Sequence, residues 1–403
     1  MADRDIAIEK EMKEFISAIC EEIGPRPPCS EEEKQGAQYF CDKISEYCDE
    51  INIEKFYTHP SEYKLAFRFP MVLYIVSIIF YLPFPWISLI IEGIALIIIW
   101  GTMALARQTV AKILPKKSSQ NVIGKIKPKE EPKNLLIFGS HIDANWEFPL
   151  NRKLGFAFAL IFALNIFLNV IIFVMLIIKN ILILLQLEAF FFGFYFFMLW
   201  IFVAGIPIAL VQFLFVISNR PVMGANDNLS GTAVCYELAK NLSDPKNKPK
   251  SVEVWINSYG CEEIGSKGSR AFILSHYDEI KDAKTINLDM IGNKDVPLRI
   301  STSEIIGLVK MDKYLEDLIK EVAQDLGIEV KSGNSMAYTD SMSFARKNLP
   351  AISLTSFPKS SKEFYYHTRD DVIENMDFKN LVDTYKICME IIKKIENKLN
   401  KEV

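Results

Sequence analysis

The sequence predicts an α/β domain with a mixed central sheet flanked by helices, into which transmembrane helical hairpins are inserted. Three observations lead to this fold class. Short apolar runs alternate with amphipathic helical segments over most of the chain. Histidine- and carboxylate-containing segments follow the ends of the predicted strands, where open α/β sheets place their ligands. Two blocks, 67–106 and 155–218, are far more apolar than the rest.

Composition limits the partners and the compartment. The formal net charge of −4 over 403 residues gives no sign of nucleic-acid binding. The seven cysteines are scattered and form no CxxC pair, which favours free thiols in a reducing compartment. The sequence shows no signal-peptide pattern, which agrees with that expectation.

The first 66 residues read as the N-terminal part of the α/β domain. Residues 1–22 have the apolar spacing of an amphipathic helix, which the proline-rich stretch 24–28 ends. Ser30, followed by three glutamates, has the pattern of a helix N-cap and predicts a second helix to about residue 47. The alternation over 51–56 predicts an edge strand.

The block 67–106 is apolar except for Arg68 and Glu92, and prolines interrupt it at 83–85. Because about 20 apolar residues cross a bilayer, this block predicts two short spans or a re-entrant hairpin. A carboxylate is costly in lipid, so Glu92 is expected to face protein or water.

The block 155–218 is more apolar still. Residues 155–178 predict one span. Residues 181–217 form either one long span broken at 205–207 or an interfacial segment followed by a span. Such long apolar runs favour membrane helices over buried core helices.

The histidine and carboxylate segments constrain the topology. His141 precedes the second block and Asp227 follows it, so a shared site requires an even number of crossings. Four spans in two hairpins are the simplest solution. The flanks on the side of these segments carry Lys64, Arg68, Arg107, Lys112, Lys116, Lys117, Arg152, Lys153 and Arg220. The positive-inside rule then predicts a multi-pass protein of the cell membrane whose catalytic domain faces the cytoplasm.

The rest of the chain alternates strand and helix, in domain segments 107–154 and 219–403. Buried-type runs predict strands, and helical spacing predicts the segments between them. The predicted strands are 134–139, 251–256, 285–288 and 351–355. The predicted helices are 230–241, 268–275, 313–326 and 377–399.

Five short segments carry the candidate chemistry. Taken singly, each has an ordinary explanation, such as a helix cap for Asp227, a loop cap for Asp289 or a surface turn for His367. Two imidazoles with several carboxylates, however, suit a pair of zinc or similar ions with positions open for water, which predicts metal-assisted hydrolysis. His59 and His276 are predicted to be surface residues. The segments are 139–143, 224–231, 262–265, 287–292 and 366–371.

In their order, these segments resemble the co-catalytic zinc aminopeptidase family, whose members include glutamate carboxypeptidase, glutaminyl cyclases and the inactive transferrin-receptor ectodomain. The resemblance implies a zinc aminopeptidase-like fold that holds two zinc ions per chain. It implies that His141 and Asp289 bind one ion, that Glu263 and His367 bind the other, and that Asp227 bridges them. It also implies that Asp143 orients His141, that Glu262 is the general base, and that Tyr366 stabilises the oxyanion.

The expected function is that of a membrane-embedded metallo-aminopeptidase acting on peptides with a free N-terminus. A glutaminyl cyclase-like enzyme is an alternative, although known cyclases tend to have tryptophan where this chain has Tyr366 and retain one zinc. A catalytically inactive binding protein is a second alternative, which the full ligand set disfavours. A transporter is a third, and the lack of an evident internal repeat argues against it. The sequence leaves the oligomeric state open.

Overall fold

A computed structural model describes residues 2–101, 113–155, 157–305, 307–357 and 365–399. The chain forms two compact units. We call residues 1–58, 117–145 and 221–403 the sheet unit, and residues 59–116 and 146–220 the helical unit. The helical unit thus begins several residues before each of the two apolar blocks, which start at 67 and 155.

The sheet unit is built on a mixed sheet of nine strands among the described residues. Strands β3, β4, β5 and β9 are mutually parallel in the order β4-β3-β5-β9, and antiparallel strands extend both sides. The strands are β1 (Glu50–Thr58), β2 (Lys117–Ile126), β3 (Asn134–His141), β4 (Val252–Tyr259), β5 (Lys284–Leu288), β6 (Leu298–Glu304), β7 (Val309–Lys310), β8 (Val330–Asn334) and β9 (Ala351–Thr355).

Helices cover both faces of this sheet. Alternate residues of β3 enter different cores: Phe138 packs in the larger cluster with α1, α2, α8, α10 and α12, and Ile137 packs in the smaller one with α9 and α11. The helices are α1 (Ala2–Glu22), α2 (Glu31–Ser45), α3 (Ser61–Phe80), α4 (Pro85–Ile99), α5 (Pro149–Leu154), α6 (Ala157–Leu184), α7 (Phe192–Phe215), α8 (Leu229–Ser243), α9 (Lys267–Ile280), α10 (Lys313–Leu326), α11 (Asp340–Ala345) and α12 (Phe378–Leu399).

Most predicted elements are confirmed. The Ser30 hydroxyl accepts the Glu33 N–H at the start of α2, and the bounds of α10 and β9 match their predictions. The prediction missed β6, β7, β8 and α11. These elements are short and polar at one side of the sheet, so they lack the continuous apolar run that marks β3 and β4.

Among the described residues of the helical unit, three stretches are long and apolar enough to cross a membrane: Ser61–Phe80, Ala157–Leu184 and Glu188–Phe215. Helix α4, with 15 residues, is shorter. The four expected spans therefore correspond to three candidate spans and one short apolar helix. The predicted end of the first block at residue 106, with Arg107 and Lys112, lies outside the described residues.

The second block differs from its prediction at the end of its first helix, and its remainder resembles the second of the two alternatives, a short segment followed by one helix. Helix α6 continues past residue 178 to Leu184, so Lys179 is not in a connection. Lys179 is buried, and its Nζ donates to the Tyr81 carbonyl at 2.7 Å. Helix α7 runs through Pro207 without ending, and a short helical turn, Glu188–Phe191, precedes it.

Glu92 lies in α4 and is fully buried within the helical unit. Its Oε2 accepts the Ser77 hydroxyl at 2.8 Å. The carboxylate therefore faces protein, as its cost in lipid predicts.

Candidate active site

The predicted site residues lie together at the carboxyl edge of the parallel strands in the sheet unit. His141 is the last residue of β3, Asp289 directly follows β5, and Glu262 comes three residues after β4. Asp227 precedes α8, and His367 lies in the connection from β9 to α12. Parallel strands bring these segments to one edge, which is where such sheets bind ligands.

Asn228 ties the Asp227 loop to the end of β5. Its Oδ1 accepts the Gly231 N–H at 3.1 Å, which caps α8, and its Nδ2 donates to the Leu288 carbonyl at 2.8 Å. Gly231 packs so closely against Leu288 that a Cβ would have no space. These contacts of Asn228 and Gly231 with the end of β5 therefore hold Asp227 near Asp289.

The carboxylate of Asp227 lies between the two histidines. Its Oδ1 is 3.3 Å from His141 Nε2, and its Oδ2 is 3.3 Å from His367 Nε2. Asp289 Oδ1 is 3.8 Å from His141 Nε2, and Glu263 Oε2 is 2.8 Å from His367 Nε2. The geometry thus groups the five predicted ligands into two sets that share Asp227.

Unpaired polar atoms at this site fit a bound cation. His141 Nε2, Asp227 Oδ2 and Glu263 Oε1 are buried and have no hydrogen-bond partner. Donor atoms of these three residues all lie within 4.8 Å of one another. Buried polar atoms are nearly always paired in native proteins, and an imidazole–carboxylate set suits zinc. The residues present therefore fit the metal that the sequence predicts.

The pKa shifts of the ionisable groups at this site also fit a bound cation. Burial and, next to it, the negative charge of nearby Asp227 raise the pKa of Glu263 to about 7. Burial likewise raises the pKa of Glu262 well above its usual value. Burial opposes the charged form of His367, but Glu263 and Asp227 raise its pKa to about 9. The site holds more buried negative charge than its histidines balance, which favours divalent cations.

Asp143 supports the turn that carries the adjacent glutamates. Its Oδ1 accepts the Glu262 N–H at 3.0 Å, and its Oδ2 accepts the Glu263 N–H at 3.1 Å. His141 Nδ1 is 3.1 Å from the Asp143 main-chain carbonyl and 3.5 Å from its carboxylate. The main chain of Asp143 is therefore nearer to the imidazole than the side chain that was expected to orient it.

The two adjacent glutamates diverge. Glu262 Oε2 is 3.9 Å from His141 Nε2, and its Oε1 accepts the Ser266 hydroxyl at 3.1 Å. Glu263 instead faces His367. One carboxylate can therefore bind a metal while the other remains free for proton transfer, as expected from the sequence.

A cleft opens onto this site. Asp227, Glu262 and Asp289 line it together with Thr339, Phe357 and Tyr366. The Tyr366 ring stacks on His367 at 3.6 Å between centroids. Tyr366 thus packs against His367, a candidate ligand, and also lines the cleft.

Sequence reasoning missed two residues that contact the candidate ligands. Asn145 Nδ2 donates to Glu263 Oε2 at 2.8 Å and lies 3.1 Å from the His367 ring. Asp371, noted only as the end of a segment, accepts the main-chain N–H of Asp227 at 3.1 Å. Asp143 comes two residues after His141 and Asn145 two residues after Asp143, so the alternation of side chains along an extended segment was the signal that could have found Asn145.

Two more residues support the loops around the site, and one prediction was wrong. Arg26 is fully buried and donates to the carbonyls of Gly24, Ile142 and Gly224. Glu33, taken as an ordinary first-turn residue, is buried and accepts the Cys261 N–H at 2.8 Å. His276, predicted to be a surface residue, is half-buried, and each of its ring nitrogens is 2.8 Å from a glutamate oxygen, one of Glu54 and one of Glu279.

Comparison with known proteins agrees with the family that the sequence resembles. The family model described as peptidase family M28 matches residues 211–392. Aminopeptidase YwaD of Bacillus subtilis is 28% identical over 165 residues, which are 39% of this chain and 34% of that protein. The chain thus matches about a third of the length of this relative.

Two solved structures share the fold. BSAP, a zinc aminopeptidase from Bacillus subtilis, aligns with a TM-score of 0.58 at 16% identity, over 96% of this chain and 95% of that one. A glutaminyl cyclase from Bacteroides thetaiotaomicron aligns with a TM-score of 0.56 at 12% identity, over 95% and 97%. The mixed sheet flanked by helices is therefore the fold of zinc aminopeptidases and of a cyclase, and the matches agree with the resemblance seen in the sequence.

Proposed function

We propose that this chain, whose residues 211–392 match the model of peptidase family M28, is a membrane-embedded metallo-aminopeptidase that removes N-terminal residues from peptides. The observation that carries the proposal is the position of Asp227, whose two carboxylate oxygens each lie 3.3 Å from a different histidine. A carboxylate in that position suits a bridge between two ions. Asp289 supplies a further carboxylate near His141, and Glu263 supplies one near His367.

The candidate ligands divide into two sets of two around the shared Asp227. His141 and Asp289 would hold one zinc ion, and Glu263 and His367 would hold the other. When bound, a zinc pair lowers the pKa of a shared water and polarises a peptide carbonyl. Asn145 and Asp143 position these ligands through the hydrogen bonds described above.

Glu262 is proposed as the general base. Its Oε2 faces His141, and the Ser266 hydroxyl fixes its Oε1. At this position, Oε2 would take a proton from the attacking water and pass it to the leaving amine. Tyr366 lines the same cleft. Its hydroxyl group would donate a hydrogen bond to the oxyanion that develops on the carbonyl and so stabilise it.

The carboxylates that line the cleft favour a substrate with a free N-terminus. An amine can bind among carboxylates or to a metal, whereas an acetylated terminus loses both interactions. We therefore expect amino acids to be released from short unblocked peptides, with little activity on their N-acetylated forms.

The helical unit supports the proposal that the enzyme is embedded in a lipid bilayer. Three of its stretches have the length and hydropathy of membrane spans. The basic residues at the flanks of both insertions support a multi-pass enzyme of the cell membrane whose catalytic domain faces the cytoplasm.

Substitution of the base and of the bridging ligand tests the mechanism. Glu262→Gln should retain about two zinc ions per chain and lose turnover by about 100-fold or more, because it removes the proton carrier and keeps the ligands. Asp227→Ala should lose both metal and activity. Metal analysis of purified protein in detergent, beside hydrolysis of aminoacyl reporter amides, measures both quantities.

The matched control is Glu279→Gln, which makes the same change at a residue paired with His276 outside the site. It should keep native metal content and rate. A near-native rate for Glu262→Gln would refute the assignment of the base. Activity that survives a strong chelator would refute the metal mechanism.

The cyclase alternative predicts a different product. A cyclase needs the substrate amine to attack its own glutamine side chain, so a second metal is dispensable. Mass spectrometry of a peptide with N-terminal glutamine separates the two reactions. Loss of a residue supports the peptidase, and loss of ammonia without shortening supports the cyclase. No product from any peptide, with native metal content, would support an inactive binding protein.

A further inference from the structure

Two buried cysteines face each other directly beside the proposed base. Cys29 lies in the loop between α1 and α2, and Cys261 immediately precedes Glu262. Their Sγ atoms are 3.3 Å apart, and both thiols are free. The two residues are 232 positions apart in sequence, so the fold, not local chain geometry, brings them together.

Both cysteines have a left-handed backbone conformation, with φ of 60° at Cys29 and 54° at Cys261. L-residues other than glycine avoid this region because the Cβ crowds the backbone. Thiol side chains at two such positions, in contact with each other, indicate a role beyond filling space.

Glu33 holds the pair in place. Its Oε2 accepts the Cys29 N–H at 2.7 Å, and its Oε1 accepts the Cys261 N–H at 2.8 Å. The Cys261 thiol also lies 3.4 Å from Oε1. The carboxylate therefore fixes the main chain of both cysteines from one side.

The geometry favours a disulfide over a metal site. Both oxygens of Glu33, the third possible ligand, already accept main-chain N–H groups. Closing to a disulfide bond of about 2.05 Å requires a movement of only about 1.2 Å.

We propose that Cys29 and Cys261 form a reversible disulfide that lowers the activity of the enzyme by moving Glu262. The inference rests on the proposed role of Glu262 as base. Cys261 is bonded to Glu262, whose main-chain N–H donates to Asp143 at 3.0 Å. A shift of the Cys261 sulfur toward Cys29 therefore pulls on the turn that holds the base.

Hydrogen peroxide can supply the oxidation. The sulfur of Cys29, the more exposed of the two at 7% against 0% for Cys261, attacks the peroxide oxygen and becomes a sulfenic acid, and one water leaves. The Cys261 sulfur then attacks the Cys29 sulfur and expels the second water. Two thiols and one peroxide thus give one disulfide and two waters, and a dithiol reductant reverses the change.

The test uses the full-length protein in detergent, treated with hydrogen peroxide and then with dithiothreitol. Peptide mapping without reductant should find the Cys29 and Cys261 peptides linked, two hydrogens lighter than their sum. Hydrolysis of a reporter amide should fall at least about fivefold and recover after reduction. Cys29→Gly, which suits the left-handed backbone, should keep the starting rate and resist peroxide. Cys48→Ser should respond as the native protein does.

The outcomes separate this inference from the proposed function. The linked peptide is detected by mass alone, so its absence after peroxide treatment overturns the disulfide whether or not the protein hydrolyses peptides. A linked peptide with an unchanged rate overturns the control of Glu262. Loss of activity in peroxide-treated Cys29→Gly assigns the sensitivity to another group and also overturns the inference.

Discussion

Replacing Asp371 with asparagine should weaken zinc binding, although Asp371 is not one of the proposed ligands. Its Oδ1 accepts the Asn226 N–H at 2.7 Å, and its Oδ2 accepts the Asp227 N–H at 3.1 Å. These two bonds fix the backbone of the residue that bridges the two sets of ligands. Asparagine has almost the same shape but only one acceptor oxygen, so one N–H group would face an amide N–H₂.

The structure sets the size of the effect. A hydrogen bond to a charged acceptor contributes about 1.5–3 kcal/mol, and Asp371→Asn loses one of two such bonds. We therefore expect the unfolding free energy to fall by about 2 kcal/mol. Outer residues that orient ligands typically change metal affinity by about 10–100-fold, and we expect a loss of zinc affinity within that range.

The assay is a competition titration of zinc against a chromophoric chelator, with thermal unfolding measured beside it. Burial and the charge of Asp227 raise the pKa of Asp371 to about 7, so the titration should be done at pH 8, where the carboxylate is charged. The rate per zinc-loaded enzyme should change less than the affinity, because Glu262 is untouched.

The control makes the same substitution at a helix cap. Asp312 Oδ1 accepts the Leu315 N–H at 2.8 Å at the start of α10, and asparagine is an equally good cap there. Asp312→Asn should leave zinc affinity unchanged. Native zinc affinity in Asp371→Asn would show that the Asp227 backbone does not depend on these bonds and would refute the argument.

Three further predictions concern other parts of the chain. Arg26→Lys should lower the unfolding free energy by about 2–4 kcal/mol in thermal melts, because an ammonium group cannot reach the three carbonyls that the guanidinium binds. Burial raises the pKa of Glu237 from 4.5 to about 7, so its contribution to stability is complete below pH 4.5 and is lost as the pH rises through 7. Glu237→Gln should therefore be more stable than the native protein at pH 8, by up to about 3 kcal/mol, and the difference should vanish at pH 4. Single cysteines at Lys153 and Arg220 should react with an impermeant thiol reagent from one side of the membrane and a cysteine at Gln186 from the other; labelling of Lys153 and Arg220 from opposite sides would refute the topology.

The central parallel strands were predictable because their sequences carry one dominant signal. Residues 134–139 form a continuous apolar run of buried-strand type, residues 251–256 are rich in Val, Trp and Ile, and helices cover both faces of these strands. Strand β8, Val330–Asn334, has only partly buried or exposed residues, and it pairs only with β6. Its stability comes from that pairing, which local sequence does not record.

The segments of the candidate site were predictable, but much of their support was not. The five ligand segments stand out because each follows a strand or precedes a helix with histidine or carboxylate. Arg26 and Glu33 carry no such signal, since each acts through main-chain groups that are distant in sequence. A buried charge that binds the backbone of another segment becomes visible only when the fold brings that segment near.

The ends of the two insertions explain why each must return to the side from which it leaves. Thr58 and Lys117, at the two ends of the first insertion, are paired across β1 and β2. At the second insertion, the Val222 N–H donates to the Asn145 carbonyl at 2.9 Å. Each insertion therefore leaves and re-enters the sheet unit at bonded backbone positions.

The bonded ends of each insertion limit the number of times that it can cross a bilayer. An insertion whose ends are bonded to each other can pass through a bilayer only an even number of times. Helices α6 and α7 satisfy that condition in the second insertion. In the first, α3 is long enough to span, but α4 has 15 residues, or about 22 Å of helix, against a hydrocarbon core of about 30 Å. Helix α4 by itself is thus shorter than a full crossing, which agrees better with the re-entrant hairpin than with two spans as the form expected for the first insertion.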